Sequence, residues 1–282
     1  MNMTLLAESG FPSDWKPVSF EDLIEAIDKV KAKTGISHGY TCAWPEAYLV
    51  EVVLAQKNLS LLDADGNYNF VQLKEHILDL RQLVQDKVLL APEMGNYDPT
   101  RQAFIQGKVA FYMQGSGHSL IIEKEAKEAG FKVGYSSLPK LSKGQKDKYA
   151  FPLGGAAIWV FDKGSAENMV SGVRSFLNYM ASKEVQAKWH KDTAYVPVSK
   201  SVCESLKEFY KDHPLHEAVV QQTILAPLGE NSFGIKKANY HLVRPKLYPL
   251  LRELLLLEGT REDVAPVVEE RLRQFELESN QV

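Results

Sequence analysis

The chain has 282 residues, of which 45% are hydrophobic and 24% charged, enough for one large domain or two small ones around a buried core. Its formal net charge of −3 gives no reason to expect nucleic acid or an anionic membrane as a partner. The longest apolar run, residues 156–161, is far too short to span a membrane. Residues 1–10 lack the basic start and long apolar stretch of a signal peptide, so we expect no export signal in this sequence.

The first half of the chain is mainly helical in pattern. Ser19-Phe-Glu-Asp22 is a capping box that opens an apolar stripe of helical spacing, and Gly35 ends it. A buried strand over 109–113 leads through a Gly-Ser-Gly loop into the next helix. The predicted elements are helices over 19–35, 46–56, 70–88 and 120–129, a turn over 63–67, and strands over 109–113 and 132–135.

The second half begins with a loop over 140–148 that is rich in Lys, Ser and Gly. Residues 156–161 predict a strand buried on both faces. Helices are predicted from Ser165 to 180, from Ser182 to 190, and then over 201–211, 214–225, 241–257 and 260–278. Short strands alternating with helices predict an α/β fold with a helical C-terminal layer.

The loop Gly115-Ser-Gly117 is a candidate binding element. It is not a nucleophile elbow, because Gln114 and His118 stand where that motif has glycine. A loop between a buried strand and a helix can offer backbone N–H groups and the Ser116 hydroxyl to a polar ligand. A simple strand-to-helix turn is the alternative interpretation.

Two further side chains are candidate ligand contacts, and each also has a purely structural interpretation. Trp44 lies in a turn before a helix, where its ring could fill the core or stack on a carbohydrate or polyol. Arg244 could bind phosphate through its planar guanidinium, or could be an ordinary surface arginine.

No pattern predicts a metal, a cofactor or a catalytic residue. The seven histidines do not cluster in the sequence, and Pro214 argues against a regular turn joining His213 and His216. Asp63-Ala-Asp-Gly-Asn67 lacks the glycine position and closing Glu of a calcium loop. Cys42 and Cys203 have no metal-binding spacing. We expect two buried thiols, although a disulfide stays open.

Three segments in a fixed order suggest a family. Leu153-Gly-Gly-Ala-Ala-Ile-Trp-Val160 is followed by a helix ending at Trp189 and by the loop Ala194-Tyr-Val-Pro-Val-Ser-Lys200. Upstream, Phe104-x-x-Gly107-Lys-Val-Ala110 fits the same comparison. Together they resemble the extracellular solute-binding proteins of bacterial ABC importers, in particular the sn-glycerol-3-phosphate-binding members.

The resemblance implies a periplasmic-binding-protein-like fold of type II. In this family two lobes enclose the ligand, and the chain would hold a complete second lobe with only a remnant of the first. The implied division is residues 1–151 for the first part of the second lobe, 152–199 for the remnant, and 200–282 for a helical return to the second lobe.

The resemblance also implies a set of ligand contacts. Trp44 would pack on the glycerol, and Ser116 would contribute a hydroxyl. Phosphate would be held by the Gly154 and Gly155 backbone, Tyr195 and Arg244. One departure is Ala47, which stands where the family has a second Trp.

The implied function is capture, without catalysis, of sn-glycerol-3-phosphate or a related polyol phosphate or sugar in the periplasm. The implied partners are the solute and the permease subunits of an ABC importer. A separate first-lobe polypeptide or a second copy is a further candidate partner, because the strand at 156–161 and the helix after it would otherwise be uncovered. The alternative is a truncated protein without transport activity, acting as an interaction or structural module.

Overall fold

The structure is a computed structural model that describes residues 1–91, 98–145, 154–161, 167–224 and 226–281. Its strands are β1 (Tyr40–Cys42) and β2 (Phe111–Met113). A π-helix spans Glu46–Glu51, and short 3₁₀ turns span Val71–Leu73 and Ser116–His118. The α-helices are α1 (Met3–Glu8), α2 (Phe20–Thr34), α3 (Val52–Lys57), α4 (Lys74–Gln85), α5 (Asp98–Ile105), α6 (Ser119–Glu128), α7 (Glu167–Met180), α8 (Lys183–Thr193), α9 (Lys200–Ser205), α10 (Lys207–Lys211), α11 (Pro214–Thr223), α12 (Tyr240–Leu255) and α13 (Arg261–Asn280).

Two parallel strands form the small sheet that positions the site. Tyr40 pairs with Phe111 and Cys42 with Met113, and β1 is buried throughout. Because the strands are parallel, the segments that follow β1 and β2 leave the sheet at the same edge. Open α/β sheets bind ligands beyond the carboxyl ends of their strands, so this edge is the natural place for a site.

Two large apolar clusters lie in the core, and one of them contains the sheet. One packs α2 against the sheet through residues such as Ile27, Tyr40 and Leu89. The other joins α3 and α4 to α12 and α13, through residues such as Ile77 and Leu251. The C-terminal helices therefore pack back onto the N-terminal part of the chain, as the predicted helical layer requires.

The capping residues predicted from the sequence coincide with the observed ends of several helices. Ser19 and Asp22 form the predicted capping box of α2, and Gly35 ends that helix in the left-handed conformation. Thr260 and Asp263 form the second box, at the start of α13. Ser182 caps α8 by accepting from the Val185 N–H. Ser165, predicted to cap the preceding helix, lies outside the described residues.

Two predicted strands are wrong. Within 132–135 only an isolated bridge between Val133 and Asn2 forms. Residues 156–161 pair with no strand of the described ranges and are exposed, with Trp159 and Phe161 retaining 78% and 77% of their accessible surface. A strand needs a neighbouring backbone to satisfy its N–H and C=O groups, and no described segment supplies one here.

Three of the seven histidines cluster in space, contrary to the sequence expectation. The ring centroids of His190 and His216 lie 5.0 Å apart, and those of His213 and His216 lie 5.7 Å apart. Pro214 occupies the first turn of α11, where a missing N–H costs nothing, so it starts the helix instead of disrupting it. Even so, the described residues contain no group of three side chains arranged to hold a metal ion.

The helices α8 to α11 form their own small cluster around Val202, Cys203 and Tyr210. Cys42 belongs to the cluster around α2, and both cysteines are buried free thiols. Among the described helices none is long and apolar enough to cross a membrane. The division at 151 and 199 remains a prediction.

Candidate functional site

The carboxyl edge of the sheet brings two candidate segments together. Beyond β1 the chain turns through Trp44 into the π-helix, and beyond β2 it enters the loop of Gly115 and Ser116. The Ala43 N–H donates to the Met113 carbonyl at 3.0 Å. This hydrogen bond joins the two segments at the point where they leave the sheet. Trp44 and Ser116 thus follow neighbouring strands at one edge.

The Ser116 loop is shaped by its own side chains. The Gln114 carboxamide accepts from the Gly115 N–H at 2.7 Å and donates to the Tyr112 hydroxyl at 3.0 Å. Ser119, the first residue of α6, donates its hydroxyl to the Ser116 carbonyl. The loop is therefore an ordered turn into a helix, with Ser116 half-buried beside the helix start.

Tyr195 lies directly on this loop. A Cβ placed on Gly117 would come within 2.6 Å of the Tyr195 ring, so only glycine allows this close approach. His190, fully buried in α8, donates from Nδ1 to the Tyr195 carbonyl at 2.7 Å. Tyr195 keeps 47% of its surface exposed, which leaves part of its ring accessible to a ligand.

Tyr48 links the loop to the Trp44 turn. A Cβ on Gly115 would lie 3.9 Å from the Tyr48 hydroxyl. The Tyr48 N–H donates to the Trp44 carbonyl at 2.8 Å. One line of contacts therefore runs from the Trp44 turn through Tyr48 and the Gly-Ser-Gly loop to Tyr195.

Arg244 contacts the same π-helix. Its Nε donates to Glu51 Oε1 at 2.6 Å, and its Nη1 lies 3.3 Å from Glu46 Oε1. Tyr240, one turn earlier on α12, donates its hydroxyl to the same Glu51 oxygen at 2.7 Å. The arginine predicted to hold phosphate is thus engaged by two carboxylates.

The charges of this cluster shift one another's pKa values. Burial raises the pKa of Glu46, opposed by a backbone hydrogen bond and by the Arg244 charge. For Arg244, burial acts to lower the pKa, but the hydrogen bond and charge of Glu51 outweigh it and the pKa is raised. The guanidinium is therefore held firmly in its charged form.

Four of the six predicted site residues are connected, and two are not. Trp44, Ser116, Tyr195 and Arg244 are joined through Tyr48, Glu46 and the Gly-Ser-Gly loop. Gly154 and Gly155 are exposed, and no described atom lies within 4 Å of a Cβ built on either. The structure does not bring these two glycines to the others.

Two cavities lie among the described residues, and Glu51, the ion-pair partner of Arg244, lines the first. One of about 150 Å³ is lined by residues of 51–62 and 230–236. The other, of about 380 Å³, is lined by residues of 37–38, 90–91 and 99–108. Neither is lined by a predicted site residue.

Sequence reasoning missed Glu46, Glu51 and Tyr240. In the π-helix the Val52 N–H donates to the Ala47 carbonyl, five residues back, which places residues five apart about one turn apart. Glu46 and Glu51 then share a face, as they would not in an α-helix. The segment carries no sequence signal for this rare geometry. Tyr240 and Arg244 are four residues apart on α12, a spacing that puts both on one face of a helix and that is visible in the sequence.

Comparison with known proteins gives a consistent result. Residues 1–218 match the family described as bacterial extracellular solute-binding protein. The sn-glycerol-3-phosphate-binding periplasmic protein of Brucella melitensis is 24% identical over 284 residues, covering 97% of this chain and 63% of that protein. Its counterpart from Rhizobium meliloti is 26% identical, covering 86% of this chain and 57% of that protein. The chain thus spans less than two thirds of these relatives.

Solved structures of similar fold are sugar-binding proteins. The cyclic α-maltosyl-1,6-maltose binding protein of Arthrobacter globiformis superposes with a TM-score of 0.71 at 21% identity, covering 98% of this chain and 68% of that one. Maltose-bound MalE3 of T. maritima gives 0.69 at 20% identity, covering 96% and 68%. The fold is periplasmic-binding-protein-like of type II, and the chain belongs to the bacterial extracellular solute-binding proteins.

Proposed function

We propose that this chain captures a small hydroxyl-rich solute for an ABC importer, without catalysis. The candidate solutes are sn-glycerol-3-phosphate, a related polyol phosphate, and a sugar. The observation that supports this most is the line of contacts from the Trp44 turn through Tyr48 and the Ser116 loop to Tyr195. In the proposal, the Trp44 ring, the Tyr195 ring and the Ser116 hydroxyl share one surface beyond the carboxyl ends of parallel strands, where such sheets bind ligands.

Each residue of this surface has a role in the proposal. The rings of Trp44 and Tyr195 would pack on the carbon faces of the solute, since flat aromatic surfaces suit polyols and sugars. The Ser116 hydroxyl and the backbone at the start of α6 would bind its polar groups. Gly154 and Gly155 would complete the site only if the segment 154–161 docked against this surface.

The surface is one wall of a site. A single wall covers little of a solute and cannot close over it, so we expect weak binding by the chain alone. More than a third of the Brucella melitensis relative lies outside the part that this chain matches. We propose that a covering partner lies over this surface. That partner would be a separate first-lobe polypeptide or a second copy, and the solute-loaded assembly would engage the permease in the periplasm.

A second candidate function rests on the uncovered apolar residues. The segment 158–161 is exposed at Ile158, Trp159, Val160 and Phe161. None of the described side chains of α7 is buried, and Met169, Val173 and Phe176 expose much of their surface. Such surfaces mark sites of protein association, which would suit an interaction module without transport activity.

A titration separates the two functions. Glycerol, sn-glycerol-3-phosphate and maltose would be titrated at millimolar concentration into the ¹⁵N-labelled chain and into Tyr195→Ala, with Tyr179→Ala as the matched control, since Tyr179 is an exposed tyrosine of α7. We expect saturable binding of at least one solute, weakened in Tyr195→Ala and unchanged in Tyr179→Ala. Absence of saturable binding by all three solutes would favour the interaction module.

A further inference from the structure

We propose that Glu51, supported by Glu46 and Tyr240, holds Arg244 as an internal ion pair that makes this surface select uncharged hydroxyl-bearing solutes over phosphate-bearing ones. The inference rests on the proposed function, because it assumes that the solute binds beside the Trp44 turn. It assigns the specificity of that surface to two acidic residues that the sequence did not single out.

The geometry commits Arg244 to Glu51. Glu51 Oε1 accepts both the Arg244 Nε–H, at 2.6 Å, and the Tyr240 hydroxyl, at 2.7 Å. Two donors from adjacent turns of α12 fix this carboxylate oxygen. Glu51 is also largely buried, with 13% of its side chain exposed, so water does little to weaken the pair.

The charges around Arg244 leave its guanidinium no net positive charge to offer an anionic ligand. Arg244 brings one positive charge, and Glu46 and Glu51 bring two carboxyl groups within 3.3 Å of its guanidinium. A phosphate at the outer edge of Arg244 would meet a guanidinium whose charge is already balanced by Glu51, and would bring a dianion next to two carboxyl groups. Placing like charges this close together is unfavourable, and displacing Glu51 instead would strand an uncompensated carboxylate.

An uncharged solute meets no such penalty. The hydroxyl groups of a polyol or sugar can donate to carboxylate oxygens and accept from the outer guanidinium nitrogen without separating the pair. Arg244 keeps 34% of its side chain exposed, so its outer edge remains reachable. The same residues that exclude phosphate therefore offer hydrogen-bonding partners to a neutral solute.

The π-helix is what places both acids on the arginine. Glu46 and Glu51 share a face because this turn has the wider π spacing. π-Helical turns occur frequently at functional sites. In a regular α-helix one of the two carboxylates would turn away, and Arg244 would have more positive charge to offer.

The test uses inorganic phosphate and the Arg244 side-chain Nε–H signal, so it does not depend on knowing the natural solute. Phosphate, sn-glycerol-3-phosphate and maltose would be titrated into the wild-type chain and into Glu51→Gln. Glu253→Gln is the matched control, because Glu253 pairs with Arg271 on the far side of α12 at 2.7 Å and its loss changes the net charge equally. The double variant Glu51→Gln, Arg244→Gln tests whether any gained phosphate site uses Arg244.

We expect Glu51→Gln to bind phosphate about tenfold more tightly than the wild type, the worth of one charge-assisted contact. Glu253→Gln should behave as the wild type does, and the double variant should lose the gain. Phosphate binding unchanged in a folded Glu51→Gln would overturn the proposal. So would a wild-type Arg244 signal that shifts saturably with sn-glycerol-3-phosphate, a measurement that needs no variant. If the gain appears while neither maltose here nor glycerol in the titration described above ever binds, the exclusion of phosphate by the ion pair stands, and the proposed function fails together with the selection of uncharged solutes.

Discussion

The ring of Tyr195 lies against the backbone of Gly117, so close that a Cβ on Gly117 would come within 2.6 Å of ring atom Cε2. This contact joins the loop after β2 to the end of α8, two segments far apart in the chain. Gly117 does not need a left-handed conformation, because its φ is not in the positive range. Glycine is required here by the close approach alone.

Replacing Gly117 with alanine should displace the Tyr195 ring. The added methyl group forces a shift at a packed contact, which typically costs about 1–3 kcal/mol. We expect a lower urea midpoint and weaker solute binding. Gly144→Ala is the control, since nothing lies within 4 Å of its Cβ position. Equal effects of the two substitutions on solute affinity would show that the Tyr195 contact has no role in binding.

The buried histidines should make stability depend on pH. Burial lowers the pKa of His190 and, together with the charges of His190 and His213, that of His216. Their folded pKa values therefore lie below the unfolded value of about 6.5. Above that pH both states are neutral and stability is full. As pH falls below it, the unfolded chain takes up protons first and stability declines.

The slope can reach about 1.4 kcal/mol per pH unit for each such histidine. Urea unfolding at pH 7.5 and 5.5 should show a smaller loss in His216→Phe, whose ring suits the aromatic neighbours Phe209 and His190. His241→Gln, at an exposed position, should keep the wild-type loss. A His216→Phe chain that loses as much stability as the wild type would contradict the assignment.

Thr260→Ala should destabilise α13. Thr260 accepts from the Asp263 N–H at 3.2 Å, and Asp263 accepts from the Thr260 N–H at 3.0 Å. Loss of such a cap typically costs about 1 kcal/mol. Ser199→Ala is the comparison, because Ser199 occupies the N-cap of α9 without a capping hydrogen bond. Thermal or urea unfolding should separate the two variants, and equal midpoints would remove the capping role.

The exposed apolar segment should promote self-association. Trp159 and Phe161 expose 78% and 77% of their surface, which favours contact with another apolar surface. In sedimentation velocity the double variant Trp159→Ser, Phe161→Ser should associate less than the wild type. Val198→Ser changes an equally exposed residue outside the segment and should have no effect. A wild-type chain that stays monomeric at high micromolar concentration would refute this expectation.

The sequence predicted correctly those features that depend on interactions within one helical turn. The capping boxes at Ser19 and Thr260 act within one turn, so their residues alone predict the helix starts of α2 and α13. The strand over 156–161 failed because strand formation depends on a partner elsewhere. The histidine cluster was missed for a related reason, since His190 and His216 meet only through the packing of α8 on α11.

The candidate site shows the same limit. Residue type and loop pattern made Trp44, Ser116 and Arg244 candidates, and the family resemblance added Tyr195 and the ligand group that each would bind. The structure links them through neighbours that carry no motif. The pairing of Arg244 with Glu51 could not be read from the sequence, because it depends on a π-helical turn. The interpretation of Arg244 as a phosphate ligand was therefore reasonable by residue type and is opposed by its charge environment.

The most direct test of the central claim is where a solute perturbs the backbone amide signals of the ¹⁵N-labelled chain. Maltose, added to saturation, should shift amides of residues 43–48, 114–118 and 194–196, the segments that the structure joins at the carboxyl edge of the sheet. Glycerol should shift a subset of them. Saturable shifts confined instead to the cavity of residues 51–62 and 230–236, or no saturable shift with any hydroxyl-rich solute, would contradict the account.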